Sequence, residues 1–491
     1  MKRDLTFLSF LALLILAAGC NPTSKKADPN NPFVELVNGK FMLKGKEFYP
    51  VALNYMVSLQ ANENEMWPSS YTGYNIGFKN KFTSRDSCLM QLRADMKLIK
   101  EMGFNTVRIV SIGEETINKY TGELKIGAFN ANELVYYSFK EEKNYLKYFD
   151  ALKELFSIIN ESGLKIIFLT RMSIDSKSTE THLSRMADCF KNDSTIMAYD
   201  IFNEPLYFDT LERDKSVIYE TVKRWNGILK EKAPKQLSTI GLEGIREVFE
   251  WDPNILDLDF LTLHPYEYER EQVRNEIYWY GKYIKKPWMI GETAIPADND
   301  SISYNEQKAF AKKTIKQTYD CGGIGYAWWQ YKDVEWYSYH ANFMGVVSLK
   351  GETRTSNGDL VFGTVKPVAS VFKSFDPATK KDTCRCLTNY YNYSNHKACR
   401  ITGFLMNEDN DPIEGGVILG WNQGWTHSYH TISRKDGSFE LLGDFIFHHW
   451  MASATEFTMI RGDINPDTLK RTGVTTINIG EIKIKELPFL D

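Results

Sequence analysis

Thr195-Ile-Met-Ala-Tyr-Asp-Ile-Phe-Asn-Glu-Pro205 reads as an apolar strand that stops at a polar pair followed by Pro. Pro after two polar residues marks a turn, so the chain reverses just past Glu204. A carboxylate at the end of a buried strand is held rigidly while facing open space, which suits a general acid. Outward from this stretch the chain repeats one unit: amphipathic helix, Gly, short apolar strand. Leu89, Leu92, Met96 and Ile99 fall at helical spacing, Gly103 stops that helix, and Asn105-Thr-Val-Arg-Ile-Val110 follows as a strand. Leu152, Leu155, Phe156 and Ile159 repeat the pattern before Gly163 and Lys165-Ile-Ile-Phe-Leu-Thr170. Helices over Val222 to Lys232 and Asn305 to Tyr319 lead into two further strands.

Eight strands are expected: Phe48 to Asn54, 105–110, 165–170, 196–202, 236–241, Leu258 to His264, Trp288 to Glu292, and 324–330. Doubly buried strands alternating with helices form parallel sheets, and eight such units match a (β/α)8 TIM barrel. No Gly-x-Gly-x-x-Gly follows the first strand, which removes the dinucleotide reading. Residues 33–48 predict a hairpin turning at Asn38-Gly39 that plugs the barrel, and Lys366 to Phe375 a closing helix. From about residue 400 the texture changes to short alternating runs: 401–405, 416–419, 429–433, 438–441 and 475–484. These predict a small all-β sandwich. The expected organisation is a barrel over 33–375, a linker over 376–399 and a sandwich over 400–491.

The chain has 491 residues, 43% hydrophobic and 14% aromatic, and a net charge of -4. No basic block stands out to neutralise phosphates, so a nucleic-acid partner is not expected. Lys2 and Arg3 precede an apolar stretch from Phe7 to Ala17 that ends in Ala-Ala-Gly-Cys20. Residues 1–20 therefore predict a secretory leader, too short for a stable membrane span. The ending resembles a bacterial lipobox, which implies lipidation of Cys20, a polar tether over 21–32 and a bacterial-envelope location. Asn21 after the Cys implies outer-membrane sorting in a Gram-negative host. Of the other cysteines, Cys399 is expected to pair with Cys384 or Cys386. Cys88, Cys189 and Cys321 are expected as buried small hydrophobes. No Cys-x-x-Cys occurs, and neither a metal nor a cofactor is expected.

Barrel chemistry gathers at the C-terminal ends of the strands. There the sequence places Arg108, Asn203 with Glu204, His264 and Tyr266, Glu292, and Trp328 with Trp329. Each alone has an ordinary structural reading; together they match the paired carboxylates of glycoside hydrolysis. Ala198-Tyr-Asp-Ile-Phe-Asn-Glu-Pro205, His264-Pro-Tyr266, Ile290-Gly-Glu-Thr293 and Ala327-Trp-Trp-Gln-Tyr331 resemble glycoside hydrolase clan A, most closely family 5. The resemblance covers about residues 33–375. It implies that Glu204 is the acid/base and Glu292 the nucleophile of a retaining mechanism on β-linked glucan- or mannan-type glycans.

By the same resemblance Asn203 binds the sugar's 2-hydroxyl, Arg108 and Tyr266 keep Glu292 ionised, His264 lines the cleft and Trp329 stacks beneath the sugar. Glu292 is then expected below the usual carboxylate range and Glu204 above it. Many family members carry a His after strand three, where this chain has Phe168-Leu-Thr-Arg-Met172, so the sugar is left open. Tyr55, Trp67, Tyr71, Tyr74 and Trp336 are expected in rim loops as outer-subsite candidates. The C-terminal region resembles carboxypeptidase-regulatory-like sandwiches, which implies a spacer or accessory module. In it Trp421, Trp425, Tyr429 and Trp450 are candidates for a glycan platform, with core packing their commoner use. The competing reading is a glycan-binding envelope lipoprotein that keeps the barrel without turnover.

Overall fold

The computed structural model describes residues 26–75, 80–110, 112, 116–117, 122–209, 211–267, 269–297, 301–336, 342–392, 394, 396, 398–464 and 475–490. The expected leader with Cys20, and residues 21–25 of the tether, lie outside them. Among the described residues no helix is long and apolar enough to cross a membrane.

Eight parallel strands close into a barrel. They are β1 (Val51–Ala61), β2 (Thr106–Val110), β3 (Lys165–Leu169), β4 (Ile196–Asn203), β5 (Leu237–Leu242), β6 (Leu261–Leu263), β7 (Trp288–Ile290) and β8 (Tyr326–Trp328). Each pairs with the next, and β8 pairs back onto β1 through Tyr326–Val51 to Trp328–Leu53. The strands are buried along almost their whole length, β4 everywhere but at Asn203, as strands covered on both faces must be. β1 runs past the expected end at Asn54 to Ala61, because its second half pairs with Met66–Ser70 in an antiparallel extension.

Helices α1 (Arg85–Glu101), α2 (Glu142–Glu161), α3 (Lys177–Phe190) and α4 (Lys215–Lys232) follow the first four strands. α5 (Gln272–Tyr283), α6 (Tyr304–Asp320) and the short α7 (Ala369–Ser374) follow β6, β7 and β8. The apolar stripes of α1 and α2 are buried as their spacing requires. Gly103 and Gly163 take positive φ just past those helices, where a side chain would be strained. At the barrel's N-terminal end, the hairpin Val34–Val37/Lys40–Leu43 turns through Asn38 and Gly39, both at positive φ. Its Val34 and Phe41 pack on Ile167, Met197, Leu237, Phe260 and Met289, which plugs the barrel.

Between β5 and β6 the chain makes only the 3-10 turn Ile245–Phe249, so the expected fifth helix is missing. The C-terminal sandwich stands in its place. It consists of β9 (Cys399–Met406), β10 (Val417–Trp421), β11 (Ser428–Ile432), β12 (Ser438–Gly443), β13 (His449–Ser453), β14 (Ile460–Asp463) and β15 (Thr475–Lys483). The sheets are ordered β12-β9-β15 and β11-β10-β13-β14; the sequence pattern had not marked β13 or β14. β10 and β13 lie against the 3-10 turn, and Val417, Leu419, Trp421, Ile432 and Met451 join the barrel's own hydrophobic core.

A buried Lys215 at the start of α4 pins the two parts together. Its ammonium donates to Asp252 Oδ2 at 2.9 Å, Ser453 Oγ at 3.1 Å, Ala454 O at 3.1 Å and Phe457 O at 2.6 Å. Burial pushes its pKa down and Asp252 opposes this. The cysteine expectation is corrected: Cys321, just after α6, bonds to Cys384. Cys399 is buried in β9, out of reach in the sandwich core, and Cys386 and Cys189 are exposed thiols.

Candidate active site

Arg108, in the middle of β2, is fully buried at the barrel mouth and organises the site. A buried guanidinium needs acceptors around its whole fork. Nε donates to Asp200 Oδ2 at 2.8 Å, Nη1 to Asn54 Oδ1 at 3.0 Å and to Glu292 Oε1, and Nη2 to Asn203 Oδ1 at 2.7 Å. A guanidinium only donates, so Asn203 is fixed with its amide oxygen toward Arg108 and its NH2 group directed elsewhere. Asn54 in turn donates to Gly291 O at 2.9 Å and Trp328 O at 3.1 Å, tying β1 to the ends of β7 and β8. Asp200 accepts from Gly241 N at 3.0 Å, which ties β4 to β5.

Glu204 caps the short helix Pro205–Phe208 at φ 43°, in the left-handed region. A non-glycine residue there is held by its surroundings against local preference, as reactive residues often are. Its N–H donates to Gly241 O at 2.6 Å. His264 Nδ1 lies 2.9 Å from Glu204 Oε1 and 3.8 Å from Glu292 Oε1. Tyr266 donates to Glu292 Oε2 at 3.3 Å. Oxygens of Glu204 and Glu292 lie within 4.8 Å of one another, with His264 in the same group. The His264 ring is clamped between backbones: a Cβ on Gly241 would sit 2.5 Å from it, and one on Gly291 2.7 Å. Glycine is required at both positions.

Burial pushes the Glu204 carboxyl above its ordinary range, with Arg108 pulling the other way. Burial also raises Glu292, against His264 and Arg108, while the Glu204 charge adds to the rise. The expectation that Glu292 lies below the carboxylate range is therefore corrected: desolvation outweighs its cation. What separates the two groups is their partners. Glu292 faces a cation and a phenol, whereas Glu204 faces an imidazole that burial pushes down to about 4, hence neutral at ordinary pH. Two like charges this close favour one shared proton. Glu204 is the more exposed of the two, 17% against 7%, but Glu292 has the stronger claim to be ionised because Arg108 and Tyr266 both donate to it. Tyr266 is raised well above its usual range by burial and by both carboxylates, so it stays a donor.

Trp328 is buried, its indole donating to Met344 O at 2.9 Å, and Trp329 is the half-exposed partner at the mouth. Trp336 lies 6.4 Å from Trp329 and donates to Tyr71 at 3.4 Å. These two are the rim aromatics of the five expected; Tyr55, Trp67 and Tyr74 are buried. Tyr55 and Tyr331 both donate to buried Asp95 at 2.7 Å, which fixes the wall beside β8. Sequence reasoning missed Asn54 and Asp200. Asp200 had a usable signal, a charge inside an otherwise apolar strand that must find a partner. Asn54 had none, because an amide at a strand end is ordinary.

No family profile matches the chain, and no curated protein matches it by sequence. Solved structures do match in shape. An exo-β-1,4-mannosidase from Opitutaceae bacterium strain TAV5 gives a TM-score of 0.48 at 16% identity, over 69% of this chain and 61% of that one. A GH5_18 protein from Streptomyces cattleya, solved with GlcNAc, gives 0.46 at 11%, over 74% and 86%. A Bacteroides uniformis β-glucuronidase gives 0.44 at 13%, over 90% and 47%. At these values the likeness carries neither substrate nor mechanism, which rest on the site's own geometry. The barrel is thus similar in overall shape to glycosidase barrels, and what it does is argued from its mouth.

Proposed function

We propose that the chain is a retaining glycoside hydrolase acting on β-linked glucan- or mannan-type glycans. One observation carries the reading: the ends of β4 and β7 present two carboxyl groups with oxygens within 4.8 Å, one against a cation and one against a neutral imidazole. Retaining enzymes hold the pair about 5–5.5 Å apart and inverting ones about 6.5–9.5 Å, to admit a water. Glu204 starts protonated and gives its proton to the glycosidic oxygen as that bond to the anomeric carbon breaks. Glu292 carboxylate forms the new bond on the opposite face, giving a glycosyl ester. Glu204, now carboxylate, takes a proton from water; the oxygen attacks the anomeric carbon, and Glu292 departs as carboxylate.

Arg108 and Tyr266 stabilise the departing carboxylate, and Asn203 offers its NH2 to the 2-hydroxyl. Trp329 offers an aromatic face to the sugar. The envelope location follows as a proposal from the lipobox-like ending at Cys20.

The test is hydrolysis of a glycan panel by wild type, Glu204→Gln and Glu292→Gln. Losses on the order of 10³–10⁴-fold are expected for both on natural linkages. A dinitrophenyl glycoside needs no protonation to leave, so its glycosylation step should survive Glu204→Gln and not Glu292→Gln. Binding by wild type with no hydrolysis of any glycan would defeat the enzyme reading in favour of a glycan-binding protein.

A further inference from the structure

The sandwich packs into the barrel wall between β5 and β6, and the path of β10 relates it to the rim. Barrel helices start at the C-terminal rim and run to the other end. α5 spans roughly 18 Å in that direction at 1.5 Å per residue. At its far end Trp279 donates to Gly415 O at 2.8 Å, Lys282 pairs with Glu414 at 2.6 Å, and the Tyr283 ring covers Gly415. At its near end Glu267, just past Tyr266 on the rim, lies 3.7 Å from His430, which pairs across to Leu419. β10 therefore climbs from the foot of α5 to the rim over residues 415–419. Trp421 lies two residues higher, roughly 7 Å at strand rise. Continued along that direction, the hairpin tip, residues 422–427, is directed toward the side of the rim where the loops after β5 and β6 emerge.

That tip displays an aromatic residue. Trp425 is 56% exposed, the most exposed tryptophan among the described residues that have large hydrophobic surface. It sits at φ 52°, a conformation a bulky residue adopts only when held. Asn422 supplies the hold: its Oδ1 accepts from Thr426 N at 2.9 Å, its Nδ2 donates to Thr426 Oγ1 at 2.7 Å, and its carbonyl accepts from Trp425 N at 3.1 Å. Behind Trp425 stands Trp421, ring centroids 4.1 Å apart, and Trp421 stacks on His449, itself bonded to Asp463 at 2.7 Å. The other candidate aromatics serve the core: Tyr429 stacks on Phe445, and Gly462 lies tight against the Trp450 indole. A backed, rigid, outward indole costs little conformational entropy on binding and suits the apolar C–H face of a pyranose ring.

We propose that Trp425 is an outer glycan subsite, contacting a sugar chain that leaves the cleft over the loops after β5 and β6. The proposal rests on the glycosidase reading. It is tested with the full chain and β-linked oligosaccharides of two to eight units, matched in sugar to the panel substrate. Trp425→Ala should raise KM for the longest chains about five- to tenfold, within the range of one aromatic stack, and leave kcat and the short substrates unchanged. Trp425→Phe should restore most of the loss, and both variants should keep the wild-type unfolding curve. Equal kinetics of Trp425→Ala and wild type at all lengths would overturn the subsite. So would an equal loss at every length, or a Phe variant no better than Ala. A wild type that cleaves nothing would strike the parent reading instead. Retention on insoluble glycan would then decide the subsite: loss in Trp425→Ala and recovery in Trp425→Phe uphold it, and equal retention overturns it.

Discussion

The barrel mouth and the seam between barrel and sandwich hold the same inventory: two glutamates, a histidine and an arginine. At the mouth these are Glu204, Glu292, His264 and Arg108; at the seam they are Glu267, Glu276, His430 and Arg246. In each place the two carboxylates and the imidazole bring ligand atoms within 4.8 Å of one another. The arrangements are opposite. At the seam the carboxyls bond directly to each other, with Glu276 pushed well above its usual range by burial and by Glu267. Glu267 is held below it, its burial opposed by the Glu276 hydrogen bond, His430 and Arg246. Glu276 also accepts from Tyr280 at 2.5 Å, and Gly244 crowds it, where a Cβ would come within 2.9 Å. At the mouth no hydrogen bond joins the carboxyls among the described residues, and each turns to a different partner. The same residue types thus take two arrangements: directly bonded carboxyls at the seam, and separated carboxyls with unequal partners at the mouth.

The largest expected difference is in turnover. Glu292→Gln should lose on the order of 10³-fold or more in kcat/KM, while Glu276→Gln, which still donates to Glu267, should stay within about threefold. Comparable losses in the two variants would erase the distinction. Next comes stability, read from denaturant unfolding. Arg108→Met strands two buried carboxylates and should cost about 3–5 kcal/mol. Arg246, whose side chain is 31% exposed where it pairs with Glu243, should cost about 1 kcal/mol as Met.

The smallest expected effect is in pH dependence. Glu276 keeps in the fold a proton that the unfolded chain releases above about pH 4.3. Its contribution is present below that pH and is lost as pH rises through the folded value. Glu276→Gln has no proton to lose, so its stability relative to wild type should rise with pH from about 4.5 to 8, by about 1 kcal/mol or more. His264 works the other way. Its depressed value of about 4 makes wild type lose stability as pH falls from about 6.5 to 4. A Glu276→Gln advantage that shrinks with rising pH would reject the shared proton at the seam.

Most of the barrel was legible because its signals are local. Helix stripes such as Leu89–Ile99, punctuating glycines and doubly apolar strands announce themselves within a dozen residues. Seven of the eight strands lie where their pattern put them to within two residues at each end, or inside the expected span; β1 alone overran by a wide margin. Seven site residues stand at or near strand ends, and the fold gathers six of them into one cluster: Arg108 with Asn203, Glu292 and Tyr266, and Glu204 with His264, whose ring lies 3.8 Å from Glu292; Trp329 is half-exposed beside them. The missing fifth helix was not legible, since Ile245–Phe249 is apolar enough for a helix and its replacement lies over 150 residues away. Neither was Cys321–Cys384, because pairing depends on distance after folding and not on spacing along the chain.

The sequence by itself determined the order of strands and helices and which residues stand at the strand ends, because backbone periodicity and turn chemistry are short-range. Only the tertiary structure decided that the sandwich packs into the barrel wall and shares its core. It also decided that burial lifts both Glu204 and Glu292, where the cation beside Glu292 had predicted a fall. The cost of desolvation depends on everything that surrounds a charge, and no stretch of sequence encloses a carboxylate on its own.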